Sequence, residues 1–333
     1  MLVFCDSFDY YNAVATKWKG GAGTGTIDLT GALSRTGVGC CVLSSFNGPT
    51  RIHPAHLPRA IFGSAVYPAS LPCWALSFAT GGLTGNITVG IDTDLSVTYW
   101  VWRGYSAQGG KSAPGVCALN AYNYIEADVV IDSALGSVTI RVNGFQVFSV
   151  SGVDTKGFGP AYSDCIMLGG AGGIGGTRHD DVYVVDPATP PNNSFLGPVR
   201  IYRLLAGSDT TPLQWTPSIA GPHFPLVNSV PPDLTKWVQS FTPGEIDQYL
   251  YPNGSIPAPA IVKAVQHTLL SNLDAPGARS IASSVEGIVG PTSFPLSTSP
   301  LQYSTPYDVD PSTGLPWLLA DTGIRKIGPV VTA

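Results

Sequence analysis

The chain has 333 residues, 44% hydrophobic and only 12% charged, with a formal net charge of −5. That length allows one large β domain with a smaller companion or two medium domains, and 10% aromatic content with so little charge excludes disorder. The acidic balance argues against nucleic-acid binding, since no cationic run exceeds Arg325-Lys326, and no stretch nears the roughly 18 apolar residues a membrane span needs.

The 39 Gly and 29 Pro, about a fifth of the chain, are scattered without period. This excludes collagen and argues for many short strands joined by tight turns. The opening Met1-Leu2-Val3-Phe4-Cys5-Asp6 lacks a basic n-region, so the expectation is a chain made and kept in a cytoplasm. Cys5, Cys40, Cys41, Cys73, Cys117 and Cys165 show no Cys-x-x-Cys spacing and read as buried thiols. A weakly charged surface suits a subunit covered by neighbours, and equally a soluble protein with a Ser/Thr/Asn-rich surface.

In chain order, strands are predicted over 38–44, 60–66, 74–79, 87–91, 95–103, 123–131, 137–142, 145–150 and 181–185. Ile125, Ala127, Val129 and Ile131 share one face of their strand, Glu126 and Asp128 the other. That is the period-2 pattern of an antiparallel sheet with one buried and one wet face. Asn143-Gly144 supplies the positive φ angles of a two-residue hairpin, so the unit reads as a meander in a sandwich or jelly roll. From 207 to 259 the chain is rich in Pro and Trp and reads as an extended connector arm, packing through Trp215, Phe224 and Trp237. Within it, Thr242-Pro243-Gly244-Glu245 predicts a short helix over 244–250. The remainder, 260–333, reads as a small C-terminal β domain after a sandwich over 1–206. The segment 261–270 suits helix by spacing and strand by composition, 279–286 reads as strand, and Trp317 is expected to plug a small core.

Few motifs carry chemistry. Glu126-Ala127-Asp128 resembles the alternating acids of concanavalin-like glycosidases, but Val130 and Ile131 stand where a third acid is needed, so no catalytic residue is expected. Gly170-Ala-Gly172-Gly-Ile-Gly175 matches a dinucleotide fingerprint, yet a strand rather than a helix follows it. His53-Pro-Ala-His56 reads as a surface loop. Asp92, Asp94, Asp180 and Asp181 offer carboxylates to calcium without the rest of a binding loop; no other cofactor is indicated. Tyr99, Trp100 and Trp102 read either as core and edge packing or as stacking platforms for glycan, and Trp215 and Trp237 as further contact residues.

Two stretches carry a resemblance. Tyr124–Asp132 followed by Gly136–Gly144 resembles the central hairpin of laminin-G-like, concanavalin-type lectin domains. Asp180-Asp-Val-Tyr-Val-Val-Asp186, then Asn193-Ser-Phe-Leu-Gly-Pro-Val-Arg-Ile201, is similar to a segment of tailed-bacteriophage virion structural proteins. The likeness continues through Gln214-Trp215-Thr216, Val230-Pro-Pro-Asp233, Gly277–Ile281, Asp310-Pro-Ser-Thr-Gly-Leu-Pro-Trp317 and Gly328-Pro-Val-Val331. It implies an all-β, concanavalin-like antiparallel β-sandwich (jelly roll), then the Pro/Trp-rich arm and the small C-terminal β unit, with a strand at 261–270. It also implies a non-enzymatic protein of the particle exterior, associated with tail or baseplate and assembled in the bacterial host cytoplasm. Its partners would be other virion proteins and further copies of itself. Capsid decoration and a lectin-like module for host-surface glycan are the alternative roles.

Overall fold

The computed structural model describes residues 1–18, 25–44, 46–81, 85–103, 105–171 and 176–333. The chain divides into a unit over Val3–Ile201 and a second over Tyr202–Ala333.

Strands of the first unit are β1 (Leu2–Asp6), β2 (Thr26–Asp28), β3 (Cys40–Leu43), β4 (Asn47–Leu57), β5 (Arg59–Tyr67), β6 (Cys73–Ala79) and β7 (Gly85–Ile91). They continue with β8 (Val97–Arg103), β9 (Tyr105–Lys111), β10 (Asn123–Val130), β11 (Gly136–Val142), β12 (Phe145–Val153), β13 (Ser163–Gly169) and β14 (Thr177–Val185). Sheet A runs β12-β11-β10-β5-β14-β3-β2, with β1 also on β14; sheet B runs β4-β13-β6-β7-β8-β9. Neighbouring strands pair antiparallel in both. All nine predicted strands fall on observed ones. Of the strands that sequence missed, β1 and β2 are short, β4 and β9 are interrupted by Gly or Pro, and β13 reads only as an apolar run leading into the glycine motif.

A period-2 pattern becomes a core here. Ile125, Ala127 and Val129 of β10 pair through Val142, Ile140 and Val138 of β11, and all six are buried. Beside them on the same sheet lies Phe62 of β5, and from sheet B come Phe78, Ile87, Val89, Tyr99 and Ile166 in one continuous cluster, with Phe62 and Phe78 edge to face at 6.0 Å across the sheets. Burying each such side chain contributes about 1.5–3 kcal/mol, which is what clamps the sheets. The β11–β12 hairpin turns on Asn143 (φ 52°) and Gly144 (φ 86°), as the Asn-Gly pair predicts.

The outer face of sheet A corrects one expectation. Glu126 was expected on a solvated face, yet it is fully buried. The segment 195–201 lies over it, so the alternation marks a second buried layer rather than water. Gly197 N–H donates to Glu126 Oε1 at 2.9 Å, and the Tyr183 hydroxyl donates to the same oxygen. Asp128, half-buried, takes both prongs of Arg59 at 2.7 and 2.9 Å.

In the second unit the strands are β15 (Ser208–Leu213), β16 (Thr216–Pro217), β17 (Val238–Gln239), β18 (Asp247–Leu250), β19 (Val265–Ser271), β20 (Ser280–Val285), β21 (Ile288–Pro295), β22 (Leu301–Tyr307) and β23 (Ile327–Val331). Two one-turn helices, α1 (Phe224–Val227) and α2 (Leu319–Thr322), complete it. A five-stranded sheet, β15-β18-β23-β20-β21, contains strands from both the predicted arm and the predicted C-terminal domain. Proline is tolerated because β15 is an edge strand with a register shift between Thr210 and Leu213, where Pro212 lies. The predicted helix over 244–250 is instead strand β18. Asp247, Gln248 and Tyr249 are all buried, and the Asp247 carboxylate gathers the amides of Gln214 (2.7 Å) and Trp215 (2.8 Å), His223 Nδ1 (2.6 Å) and the Tyr249 hydroxyl (3.0 Å). Trp317 plugs a small core with Val285, Tyr307 and Ile327, as expected.

Candidate functional site

The side chains that face away from the core on sheet B form the most distinctive surface of the first unit. On β8, Val97, Tyr99 and Val101 enter the core, so Thr98, Trp100 and Trp102 face out. On β7 the core takes Ile87, Val89 and Ile91, leaving Asn86, Thr88 and Gly90 outside. On β6 and β13 the outward positions include Trp74, Ser77 and Met167.

Three indoles therefore share one face, all half-buried. Trp74 and Trp102 meet edge to face, ring centroids 5.2 Å apart at 87°, and half-exposed Phe46 adds a further ring 5.2 Å from Trp74. Glycines floor the surface where the rings lie. A Cβ on Gly85 would come within 2.6 Å of Trp102 Cδ1, on Gly90 within 2.8 Å of Trp100 Cζ3, and on Gly169 within 2.5 Å of Trp74 Cβ. Any larger residue would lift the rings off the sheet.

Polar groups beneath fix the orientation. Trp102 Nε1 donates to Thr88 Oγ1 at 2.8 Å, and Thr88 shares a 2.7 Å hydrogen bond with Ser77. With its N–H used internally, Trp102 offers a ligand its ring. One end of the platform is held by Asn86, whose side-chain amide donates to the carbonyls of Lys156 (3.1 Å) and Pro160 (2.9 Å), and by Phe158 N–H to Trp102 O at 3.0 Å.

Of the sequence candidates, the structure brings Trp100 and Trp102 together and separates Tyr99 from them. Tyr99 is in the core, its ring 5.6 Å from Phe148. Trp215 and Trp237 belong to the second unit: the Trp215 Nε1 donates to Glu245 O at 3.1 Å, and Trp237 is 49% exposed. Sequence reasoning missed Trp74 and Phe46. Strand phase gives the only signal for Trp74, and a register shift between Trp74 and Leu76 obscures it.

The remaining candidates are engaged elsewhere. Asp92 and Asp94 hold Lys111 Nζ at 3.6 and 2.9 Å. Asp180 and Asp181 are buried under the 195–201 segment: Asp181 pairs with Arg35 at 2.6 Å and accepts from Ile201 N–H at 2.8 Å, while Asp180 accepts from Arg35 N–H at 2.9 Å. Burial, and then the neighbouring Asp181 charge, push the Asp180 carboxyl up to about 9. Among the described residues no cluster of three or more His, Cys, Asp or Glu is arranged to hold a metal ion. His53 is buried and its pKa driven down to about 4 by desolvation, whereas exposed His56 stacks on Tyr162 at 4.1 Å. Gly172–Gly175 of the glycine motif lie outside the described residues.

No protein-family model matches the chain, and no curated protein matches it. Solved structures similar to it include an endo-β-1,4-glucuronan lyase from the fungus Trichoderma reesei, at 12% identity and a TM-score of 0.37, covering 54% of this chain and 95% of that one. The carbohydrate-binding module CBM66 from Bacillus subtilis is similar at 9% identity and a TM-score of 0.30, covering 55% and 92%. A carbohydrate esterase of the Shiga toxin-encoding bacteriophage phi24B is similar at 9% identity and a TM-score of 0.35, covering 54% and 98%.

Proposed function

We propose that the chain is a non-catalytic glycan-binding component of a bacteriophage particle, and that its sandwich engages glycan through Trp74, Trp100 and Trp102. One observation carries the glycan reading: three half-buried indoles laid on a glycine floor across the outer face of sheet B. Pyranose rings present apolar C–H faces that stack on such rings while their hydroxyls stay wet. The absence of catalysis rests on the sealing of Glu126 beneath 195–201, out of reach of a polysaccharide. The particle role rests on the sequence resemblance, and the low charge of the surface suits contacts with other virion proteins.

Binding of a glycan microarray by the full chain, followed by titration of the best ligand, tests the site. Trp74→Ala and Trp102→Ala are each expected to weaken binding about tenfold or more, roughly 1.4 kcal/mol, with the fold retained. Unchanged affinity in both variants would refute it. The particle role requires the protein to be a stoichiometric component of purified virions by mass spectrometry.

A further inference from the structure

Resting on that reading, we infer that the platform on sheet B selects neutral glycans and rejects uronic- and sialic-acid polymers. The inference comes from where the charges of the sheet are. On its outward rows, β6, β7 and β8 carry the half-buried Trp74, Trp100 and Trp102 over buried Ser77, Asn86, Thr88, Gly90 and Thr98, none of them ionisable. Of the charged residues of the sheet B strands, Arg51 pairs across to Ile166, a core position, and donates to Lys17 O at 2.5 Å. Asp164, at the end of β13, accepts from Gly81 N–H at 2.6 Å.

Among the described residues, Lys111 and Arg103 reach the rim and each already faces acid, and His56 on β4 lies 3.5 Å from Asp164. Lys111, opposite Thr98, is held between Asp92 and Asp94, and Arg103 is bound by Asp154 at 2.6 Å. Lys156, whose carbonyl accepts from Asn86 at one end of the platform, acts on Asp132, whose carboxyl lies below its usual range mainly through the amides of Leu135 and Ala134. The rim thus sets three carboxylates against two cations. By sequence, residues 45, 82–84, 104–108 and 172–175 carry no charge either.

An acidic sugar docked here would lose water from its carboxylate without gaining a free counter-charge, an uncompensated desolvation that weakens binding. It would also meet the electron-rich faces of the indoles, which repel an anion. A neutral hexose meets neither penalty. Its C–H face covers the rings, and because Trp102 Nε1 is already bonded to Thr88, stacking rather than charge sets the contact.

The experiment is calorimetric titration of the full chain with maltoheptaose, cellohexaose and mannohexaose, and with oligogalacturonate and sialyllactose, at about 20 mM and 500 mM NaCl. The expected result is binding of at least one neutral oligosaccharide, changing less than about twofold with salt, lost in Trp74→Ala and Trp102→Ala, and no binding of the acidic sugars. Acidic sugars bound in preference and lost in those same variants would overturn neutral selectivity while leaving the platform as the site. Acidic binding that falls with salt and disappears in a Lys111→Ala or Arg103→Ala chain would overturn it by showing the rim cations to be available. Binding insensitive to both Trp substitutions, or none across the panel, would overturn the platform itself.

Discussion

Gly63 sits in the middle of β5, opposite Glu126 on β10 and Tyr183 on β14. A Cβ there would lie 2.3 Å from Tyr183 Cε1, 2.7 Å from Cζ and 2.9 Å from Cδ1. The ring cannot yield cheaply. Its hydroxyl donates to Glu126 and accepts from Leu196 N–H at 3.2 Å, and its face stacks on Tyr124 with centroids 6.4 Å apart. Overpacking of this kind costs about 1–3 kcal/mol, and a strained hydrogen bond to a buried carboxyl adds about 1 kcal/mol, so Gly63→Ala should destabilise the sandwich by about 2–3 kcal/mol. In a Tyr183→Ala background the obstacle is gone. Alanine then outperforms glycine in a strand by about 0.5–1 kcal/mol, and the same substitution should become stabilising. The coupling between the two sites is therefore near the upper end of contact pairs, about 3 kcal/mol. Urea unfolding of the four variants measures it, with hydrogen exchange on the β5 peptide assigning the change to the sandwich. An equal cost in both backgrounds would refute the assignment of Gly63 as the seat of the tyrosine ring.

Asp180 gives a pH signature. Burial and the neighbouring Asp181 charge hold its folded carboxyl well above the roughly 3.9 of the unfolded chain. The unfolded chain releases this proton first, so stability should fall as pH rises from about 4 toward 9, and Asp180→Asn should flatten that slope in urea midpoints at three pH values. A wild-type slope surviving in the variant would assign it elsewhere. The cysteines give a chemical one: burial pushes the Cys5, Cys40, Cys73 and Cys117 thiols up to about 12 and raises the Cys41 thiol well above its usual value. Native alkylation near neutral pH should be slow for all of these and complete after denaturation, and rapid native labelling would contradict the burial.

What could be read in the sequence was whatever depended on local period. The β10–β11 meander followed from alternation and from Asn143-Gly144 because both signals are nearest-neighbour in origin. Glu126 was misplaced because alternation reports only that two faces differ. That 195–201 returns across the outer face is a non-local fact, carried by Arg35 as well: its guanidinium donates to Val199 O at 2.7 Å and to Asp181. The helix expected over 244–250 failed for a similar reason. Its cap and proline signals are local, whereas Asp247 is held by Gln214, Trp215 and His223 from far along the chain. At the platform, residue type singled out Trp100 and Trp102, but only strand phase could remove Tyr99 from the set.

The two outer faces of the sandwich differ in a way that stability alone does not explain. On sheet A the acids are sealed under a returning segment, with Glu126 and Asp181 accepting its backbone amides and Arg141 lying 4.3 Å from the Phe195 ring centroid. That face is closed at the cost of burying carboxyls whose pKa values are raised. Sheet B keeps its indoles partly wet and keeps glycine at 85 and 90 in β7 and at 169 in β13. Each such glycine costs about 0.5–1 kcal/mol relative to alanine, and each partly wet indole forgoes part of its burial energy. A sheet selected only to fold would place β-branched residues there and turn the tryptophans inward. Three glycines that seat three rings on the outer face of sheet B give up stability for that surface, which is the physical ground for proposing it as a binding face.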